Sequence, residues 1–288
     1  MKKAKILITG STGNVGKALV KHFISKYNKY NILCLARKKR TEKHYIHGNL
    51  NDYNSLLKAT KKVDIVIHLA AATKGSIKEL ENVNVKGTAN LIRACEKNNV
   101  KKIVFISSLD AMFDTPYGVS KKKAEEIVKS SKLNYIILRP SLIYGKHLEN
   151  GLAPLVTIIK KSYFIPIIGS GKNKYQPVYI YDLVAVIEKI IKSSRFPKNT
   201  YFVAGPDVVS FEKLIDLISQ ILRKKAVKIH IPVPLFFLDL ADKILKKIGA
   251  GINFKNYRLD KICDTSKIKK DFGFKGTSLK DGLEKTIL

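Results

Sequence analysis

The sequence is short of cysteine, with three in 288 residues, at positions 34, 95 and 263. They show no metal-binding spacing and each falls in an apolar segment. We therefore expect buried free thiols in a reducing compartment, not a disulfide-stapled secreted domain. Long apolar runs are missing as well: none approaches the roughly 18 residues that would cross a bilayer. Met1-Lys2-Lys3 opens like a signal peptide, but the apolar run behind it stops at Thr9-Gly10. A cytoplasmic protein is the expectation. No short internal repeat, low-complexity tract or Pro/Gly-rich linker is present, which argues against solenoids and strings of small modules. Acidic residues are scarce: 23 Asp and Glu against 54 Lys and Arg leave a formal charge of +31. Such an excess raises nucleic acid or an anionic membrane as a partner. Arginine is scarce too, at seven of the 54, and readers of bases and phosphates lean on its planar fork. The lysines are scattered through every segment, with small clusters at 37–40, 121–123 and 223–225. That pattern reads as lysine-biased solvated faces, not as a docking stripe for nucleic acid or membrane.

What is present first is a turn rich in glycine. The apolar run Lys5-Ile6-Leu7-Ile8 leads into Thr9-Gly10-Ser11-Thr12-Gly13-Asn14-Val15-Gly16, and a helical pattern follows. A strand turning sharply into a helix needs a residue free to take positive φ, and Gly10 is one. Gly13 lets a pyrophosphate approach the backbone and Gly16 lets the helix pack closely on the sheet. The helix N-terminus then presents unpaired N–H groups to phosphate. Four further apolar strands follow, at 32–36, 44–47, 64–72 and 103–108, with a helix expected at 86–98. Alternation of strand and helix predicts an α/β fold with a doubly wound parallel sheet. His68 lies inside an apolar strand and reads as a packed core histidine, not a catalyst. The second strand ends in Ala36-Arg37-Lys38-Lys39-Arg40, with no carboxylate to accept from ribose hydroxyls. Arg37 and Lys38 would instead favour a 2′-phosphate, hence NADP over NAD.

Two hydroxyls, Ser107 and Ser108, end the fifth strand, and Tyr117-Gly118-Val119-Ser120-Lys121 opens the next helix. Tyr117 and Lys121 are i and i+4, so they share a helix face. A neighbouring ammonium and an oxidised nicotinamide ring would favour the phenolate, lowering a pKa that is ordinarily near 10. Tyr117 could then exchange a proton with a substrate hydroxyl while hydride moves at the carbon. Ser108 would hydrogen-bond the same oxygen.

These pieces resemble the extended short-chain dehydrogenase/reductase family, which contains nucleotide-sugar epimerases and dehydratases. The likeness rests on the glycine turn, Gly48-Asn49-Leu50, His68-Leu69-Ala70-Ala71, Asn84-Val85-Lys86-Gly87-Thr88, Ser107-Ser108 and Tyr117–Lys121. It continues through Leu138-Arg139-Pro140-Ser141-Leu142-Ile143-Tyr144-Gly145 and Val178-Tyr179-Ile180-Tyr181-Asp182-Leu183, and again at 264–274. The resemblance implies a Rossmann-type sheet with a smaller C-terminal substrate-binding lobe: residues 1–150, with 178–205 returning to them, for the cofactor, and 151–288 for the lobe. It implies Tyr117 as acid/base, Lys121 on the nicotinamide ribose and Ser108 on the substrate. Gly10, Thr12, Gly13, Asn14, Val15 and Gly16 would hold the diphosphate. Asn49 and Leu50 would lie by the adenine, Leu69, Ala70 and Ala71 along the cofactor, Pro140 and Ser141 near the carboxamide, and Asn84 behind the active-site backbone. Asn49 stands where the family has Asp, and the loop from Ser108 to Tyr117 is short, which implies an open pocket. Tyr175 replaces a diphosphate-binding Arg, leaving Lys174 as a point charge.

The expected function is an NAD(P)-dependent epimerase or dehydratase acting on a sugar, nucleotide-linked, in a homodimer joined through helices at 86–98 and 118–130. The alternatives are an NADPH-consuming carbonyl reductase or hydroxysteroid-type dehydrogenase, and a non-catalytic cofactor-binding scaffold with a basic partner-binding surface. No metal is expected. The stretch 235–247 is apolar on one side and lysine-rich at its end, and reads as a helix packed on the lobe.

Overall fold

The computed structural model describes residues 4–25, 30–146, 148, 151–231 and 259–288. Its first half runs β1 (Lys5–Thr9), α1 (Asn14–Ile24), β2 (Asn31–Ala36), β3 (Tyr45–His47), α2 (Tyr53–Thr60), β4 (Ile65–His68) and α3 (Ile77–Leu80). A π-helical turn, Glu81–Lys86, leads into α4 (Gly87–Lys97), then β5 (Lys102–Ile106), α5 (Pro116–Lys129) and β6 (Asn134–Pro140). Beyond these come β7 (Ile143–Tyr144), α6 (Ala153–Lys161), β8 (Phe164–Ile168), β9 (Lys174–Tyr175), β10 (Val178–Tyr179) and α7 (Ile180–Lys192). The described chain closes with β11 (Asn199–Val203), β12 (Val209–Ser210), α8 (Phe211–Ile221), β13 (Val227–Ile231), α9 (Ser266–Phe272) and α10 (Leu279–Ile287).

Seven strands form the main sheet in the order β11-β6-β5-β4-β1-β2-β3, a Rossmann-type doubly wound arrangement. The five pairs from β6 to β3 are parallel, with Ile8 opposite Cys34 on one side and Ile67 on the other. Leu7, Ile8, Val66, Ile67, Ile103 and Val104 are fully buried, as continuous apolar strands covered on both faces require. Strand order reverses between β1 and β4, and in such sheets the crevice at the strands' carboxyl ends beside that reversal is where ligands bind.

The contacts divide the chain into two units, 1–139 with 184–201 and 140–183 with 202–288. The second contains three two-stranded ribbons, β7 with β10, β9 with β12 and β8 with β13. The helix expected at 86–98 starts earlier: α3, the π turn and α4 follow one another without a break from Ile77. Its start is a capping box in which Ser76 accepts from the Glu79 N–H at 3.2 Å and Glu79 accepts from the Ser76 N–H at 2.7 Å. Cys34 and Cys95 are buried free thiols, whereas Cys263 is only half-buried, because it sits in an extended segment outside any helix or strand. The stretch 235–247 lies outside the described residues. Among the described residues, no helix is long and apolar enough to cross a membrane.

Candidate active site

The glycine turn follows from close packing. Gly10 sits at φ +70°, and a Cβ there would lie 2.5 Å from the Ala70 nitrogen. A Cβ on Gly16 would lie 2.1 Å from the Gly10 carbonyl oxygen. The loop is thus pressed between β4 and α1 too tightly for any side chain at either position. Ser11 is buried and donates to the Leu35 carbonyl at 3.0 Å, tying the loop to the end of β2. Thr12 and Gly13 are exposed, while Asn14 and Val15 are half-buried. Helix α1 is capped by Gly13 without a side-chain acceptor, and its first turn holds no carboxylate. Its first N–H groups and the positive end of its dipole are therefore available to an anion. A turn that excludes a Cβ at Gly10 and Gly16 beside a helix start without a side-chain cap suits a dinucleotide diphosphate.

Around this turn, Leu69, Ala70 and Ala71 are half-buried behind Gly10. Arg37 and Lys38 are exposed past the end of β2, while Arg40 stacks on Tyr45 at 4.9 Å and pairs with Glu42 at 3.6 Å. Asn49 accepts from the Asn51 N–H at 3.2 Å, and the Leu50 side chain is buried in the core with its carbonyl held by Asn90 at 3.0 Å.

His68 is a core residue with both ring nitrogens in use. The Ala70 N–H donates to Thr9 Oγ1 at 3.3 Å, and Thr88 Oγ1 donates to the Asn84 carbonyl at 2.6 Å. These two ends dictate the direction between them: Thr9 donates to His68 Nδ1 at 2.6 Å, and His68 Nε2–H donates to Thr88 at 3.0 Å. The ring is therefore the neutral Nε2–H tautomer. Burial, helped by the nearby Lys121 charge, pushes its pKa down to about 3. Asn84, inside the π turn, holds the Ala72 N–H at 2.7 Å and carbonyl at 2.9 Å and donates to Ser120 at 2.9 Å. Ser120 in turn donates to the Tyr117 carbonyl at 2.7 Å, so one polar chain ties the end of β4 to the first turn of α5.

Helix α5 begins at Thr115, which accepts from the Gly118 N–H at 3.0 Å, with Pro116 at the first helical position. That cap places Tyr117 in the first turn, where the Ser108 hydroxyl is near enough to pull the phenol's pKa down, while Ser108 itself accepts from the Asp110 N–H at 3.1 Å. Ser107 faces the other way and donates to Glu125 at 2.5 Å, leaving Ser108 as the hydroxyl beside the phenol. Lys121 is buried; its Nζ donates to the Ile106 carbonyl at 2.8 Å and lies 4.2 Å over the Phe105 ring. Burial pushes the Lys121 pKa down to about 7, with Glu125 pulling the other way.

Within the protein, the phenol is shifted by burial, Asp110 and Ser108, and not by Lys121. Its pKa is raised, first by burial and then by the Asp110 carboxylate, with Ser108 alone pulling down. The lysine charge is committed to a backbone carbonyl and an aromatic face, and desolvation outweighs the pull of Ser108. Lys121 also carries a pH signature. It is unprotonated above about pH 7 when folded, but keeps its proton to the ordinary 10.5 when unfolded. Between those values the unfolded chain binds more protons, so stability rises with pH across that window. Urea titrations at pH 7 and 9 are expected to show this rise in the native protein and not in Lys121→Met; equal slopes would remove it.

Sequence reasoning missed Glu125. It is fully buried, accepting from Arg139 Nε at 2.8 Å and Nη2 at 2.6 Å as well as from Ser107. Its one signal was its place four residues after Lys121 on the same helix face.

In the second unit, Ser141 donates through its hydroxyl to the Gln176 carbonyl, and its N–H donates to Val203 at 3.0 Å. Pro140, beside it, is buried at the end of β6. Lys174 is exposed, while Tyr175 is buried with its ring 6.0 Å from Phe211.

The model of the NAD dependent epimerase/dehydratase family matches residues 6–205. An N-acetyl-alpha-D-glucosaminyl-diphospho-ditrans,octacis-undecaprenol 4-epimerase from Escherichia coli O157:H7 is 27% identical, over 98% of this chain and 94% of its own. A UDP-glucose 4-epimerase from Vibrio cholerae is 28% identical, over 84% and 82%. Among solved structures, MoeE5 in complex with UDP-glucuronic acid and NAD superposes with a TM-score of 0.80 at 20% identity, over 99% of this chain and 98% of that one.

Proposed function

The chain belongs to the NAD dependent epimerase/dehydratase family, and from that premise we propose that it epimerises or dehydrates a nucleotide-linked sugar. The observation that carries the reading is the placement of Tyr117 near Ser108 on the helix that buries Lys121 one turn later, its Nζ anchored on the Ile106 carbonyl. Tyr117 takes the proton of a sugar hydroxyl, and Ser108 orients that oxygen. Lys121 positions the ribose of the cofactor. Gly10, Gly13 and Gly16, with the start of α1, receive the diphosphate. What a bound nicotinamide supplies is a reversible hydride acceptor. Its positive ring adds the charge that favours a phenolate in a desolvated setting. Lys174, one of several exposed cations of the second unit, is the one we assign to the substrate's diphosphate. The reductase and scaffold alternatives are not favoured by the family match. The test is turnover on a panel of nucleotide sugars, preceded by thermal shift; no stabilisation and no turnover with any of them would overturn the reading.

We assign NADP as the preferred form of the cofactor, because Arg37 and Lys38 are exposed where a ribose-binding carboxylate is absent. Arg37→Asp is expected to weaken NADP binding about tenfold or more, the worth of one charge-assisted hydrogen bond, and to spare NAD. Equal effects on the two in calorimetric titration would refute the preference. We also read the chain as a cytoplasmic homodimer paired through α4 and α5; sedimentation at the mass of one chain would refute it.

A second reading is favoured by one observation. The Escherichia coli relative, matched over nearly its whole length, is named for a sugar joined through a diphosphate to undecaprenol. Turnover of a prenyl-diphosphate sugar, with nucleotide sugars inert, would select this carrier.

A further inference from the structure

We propose that the ribbon of β8 and β13 is a docking surface for an anionic lipid bilayer. The two strands pair in parallel, with Val227 opposite Phe164 and Ile229 opposite Pro166. All four of these residues are exposed, and Ile231 continues the row at the end of β13. Tyr163, immediately before β8, is 65% exposed and Phe164 60%. On the alternate positions Ile165 and Ile167 are buried, the half-buried Lys228 reaches Asp216 at 2.7 Å, and the exposed His230 reaches Glu212 at 2.9 Å, both carboxylates on α8. The charges at these positions of β13 are thus neutralised by α8, and the remaining positions present an apolar row to solvent. Isolated exposed apolar residues need no explanation, but a contiguous, rimmed patch does.

The rim is basic. Lys160 and Lys161 end α6, and Arg223, Lys224 and Lys225 lead into β13; all five are exposed. The two clusters meet at one end of the ribbon, where Lys224 Nζ donates to the Lys160 carbonyl and lies 5.9 Å from the Tyr163 ring. Neither 160–168 nor 223–231 contains an acidic residue, in a chain whose formal charge is +31. Apolar side chains beside an aromatic hydroxyl and ringed by cations match the layered chemistry of a bilayer face, with acyl chains beneath headgroups and anionic phosphates outermost. Nucleic acid would satisfy the lysines but offer nothing to Ile229, Ile231 and Val227. The inference is independent of the sugar acted on, since binding is read without turnover.

The test is flotation of the full chain with vesicles, of phosphatidylcholine alone or with one third phosphatidylglycerol, at 0.1 and 0.5 M salt. Binding to the anionic vesicles that falls at high salt is expected, with little to phosphatidylcholine. The pair Lys161→Gln and Lys225→Gln should weaken it about 25-fold, at about fivefold per lysine. The pair Phe164→Ser and Ile229→Ser should weaken it at least about tenfold. Thermal midpoints in the absence of lipid should be unchanged, since the altered side chains lie in solvent. No flotation, or flotation that neither pair alters, would overturn the proposal. So would a lowered midpoint in the serine pair, which would mean that the chain's own fold covers this face. A self-association abolished by the same pair would reassign the surface to a second copy.

Discussion

Tyr117→Phe is expected to reduce turnover about a thousandfold, the usual worth of a positioned acid/base, while cofactor affinity changes little. The substitution removes one oxygen and leaves the ring, so the first turn of α5 keeps its shape. The Thr115 cap and the bond from Ser120 to the Tyr117 carbonyl use backbone groups that the change does not touch. What is lost is the group that moves the proton. The loss should fall on kcat, with KM nearly constant, because the phenol contributes more at the transition state than to ground-state binding. Steady-state kinetics on the substrate found in the panel, with cofactor titration alongside, checks it. Turnover within a few fold of the native rate would remove Tyr117 from the chemistry.

The largest effect on stability is expected from Arg139→Ala. Glu125 is fully buried, and Arg139 meets its carboxylate through two nitrogens at 2.8 and 2.6 Å. Truncating the arginine leaves that carboxylate in the interior with Ser107, Lys129 at 3.9 Å and the electrostatic pull of Lys121. Breaking a buried pair from one side costs about 3–5 kcal/mol, which lowers the thermal midpoint by on the order of 10 °C. The double variant Glu125→Leu with Arg139→Met should recover most of that loss, because no uncompensated charge remains. Chemical denaturation of the three variants measures it. A loss below about 1 kcal/mol for Arg139→Ala would mean the pair is hydrated like a surface one. Ser107 hangs from the same carboxylate next to Ser108, so the single variant should also be less active.

How much of this was legible depended on how local each feature is. The glycine turn could be read because its requirements lie within seven residues: positive φ at Gly10 and no room for a Cβ at Gly16. The Tyr117–Lys121 spacing placed both on one helix, and the alternation of strand and helix predicted the parallel sheet. The early start at Ile77 was written in Ser76 and Glu79, a capping-box pair three residues apart. By contrast, little near Glu125 in the chain marks it as buried beyond its place four residues after Lys121. It stands beside Lys122, Lys123 and Glu126, like a residue of a solvated face, and its partner Arg139 is 14 residues away on another element. The protein's own contribution to the Tyr117 shift was illegible for the same reason. Spacing reports that a lysine is near, but not that the phenol is desolvated beside Asp110 while the lysine is held by Ile106 and Phe105.

The sequence by itself determined the sheet, its glycine turn and the helix that carries a phenol and an amine, since these follow from backbone sterics and periodicity over short spans. Tertiary structure alone decided which charges are buried, which hydroxyl faces the phenol and which lysines share a rim. Those outcomes depend on desolvation and on pairing between distant segments, as when β8 meets β13 and brings Lys160 to Lys224. Burial and long-range contact are properties of the folded chain and have no counterpart in local sequence.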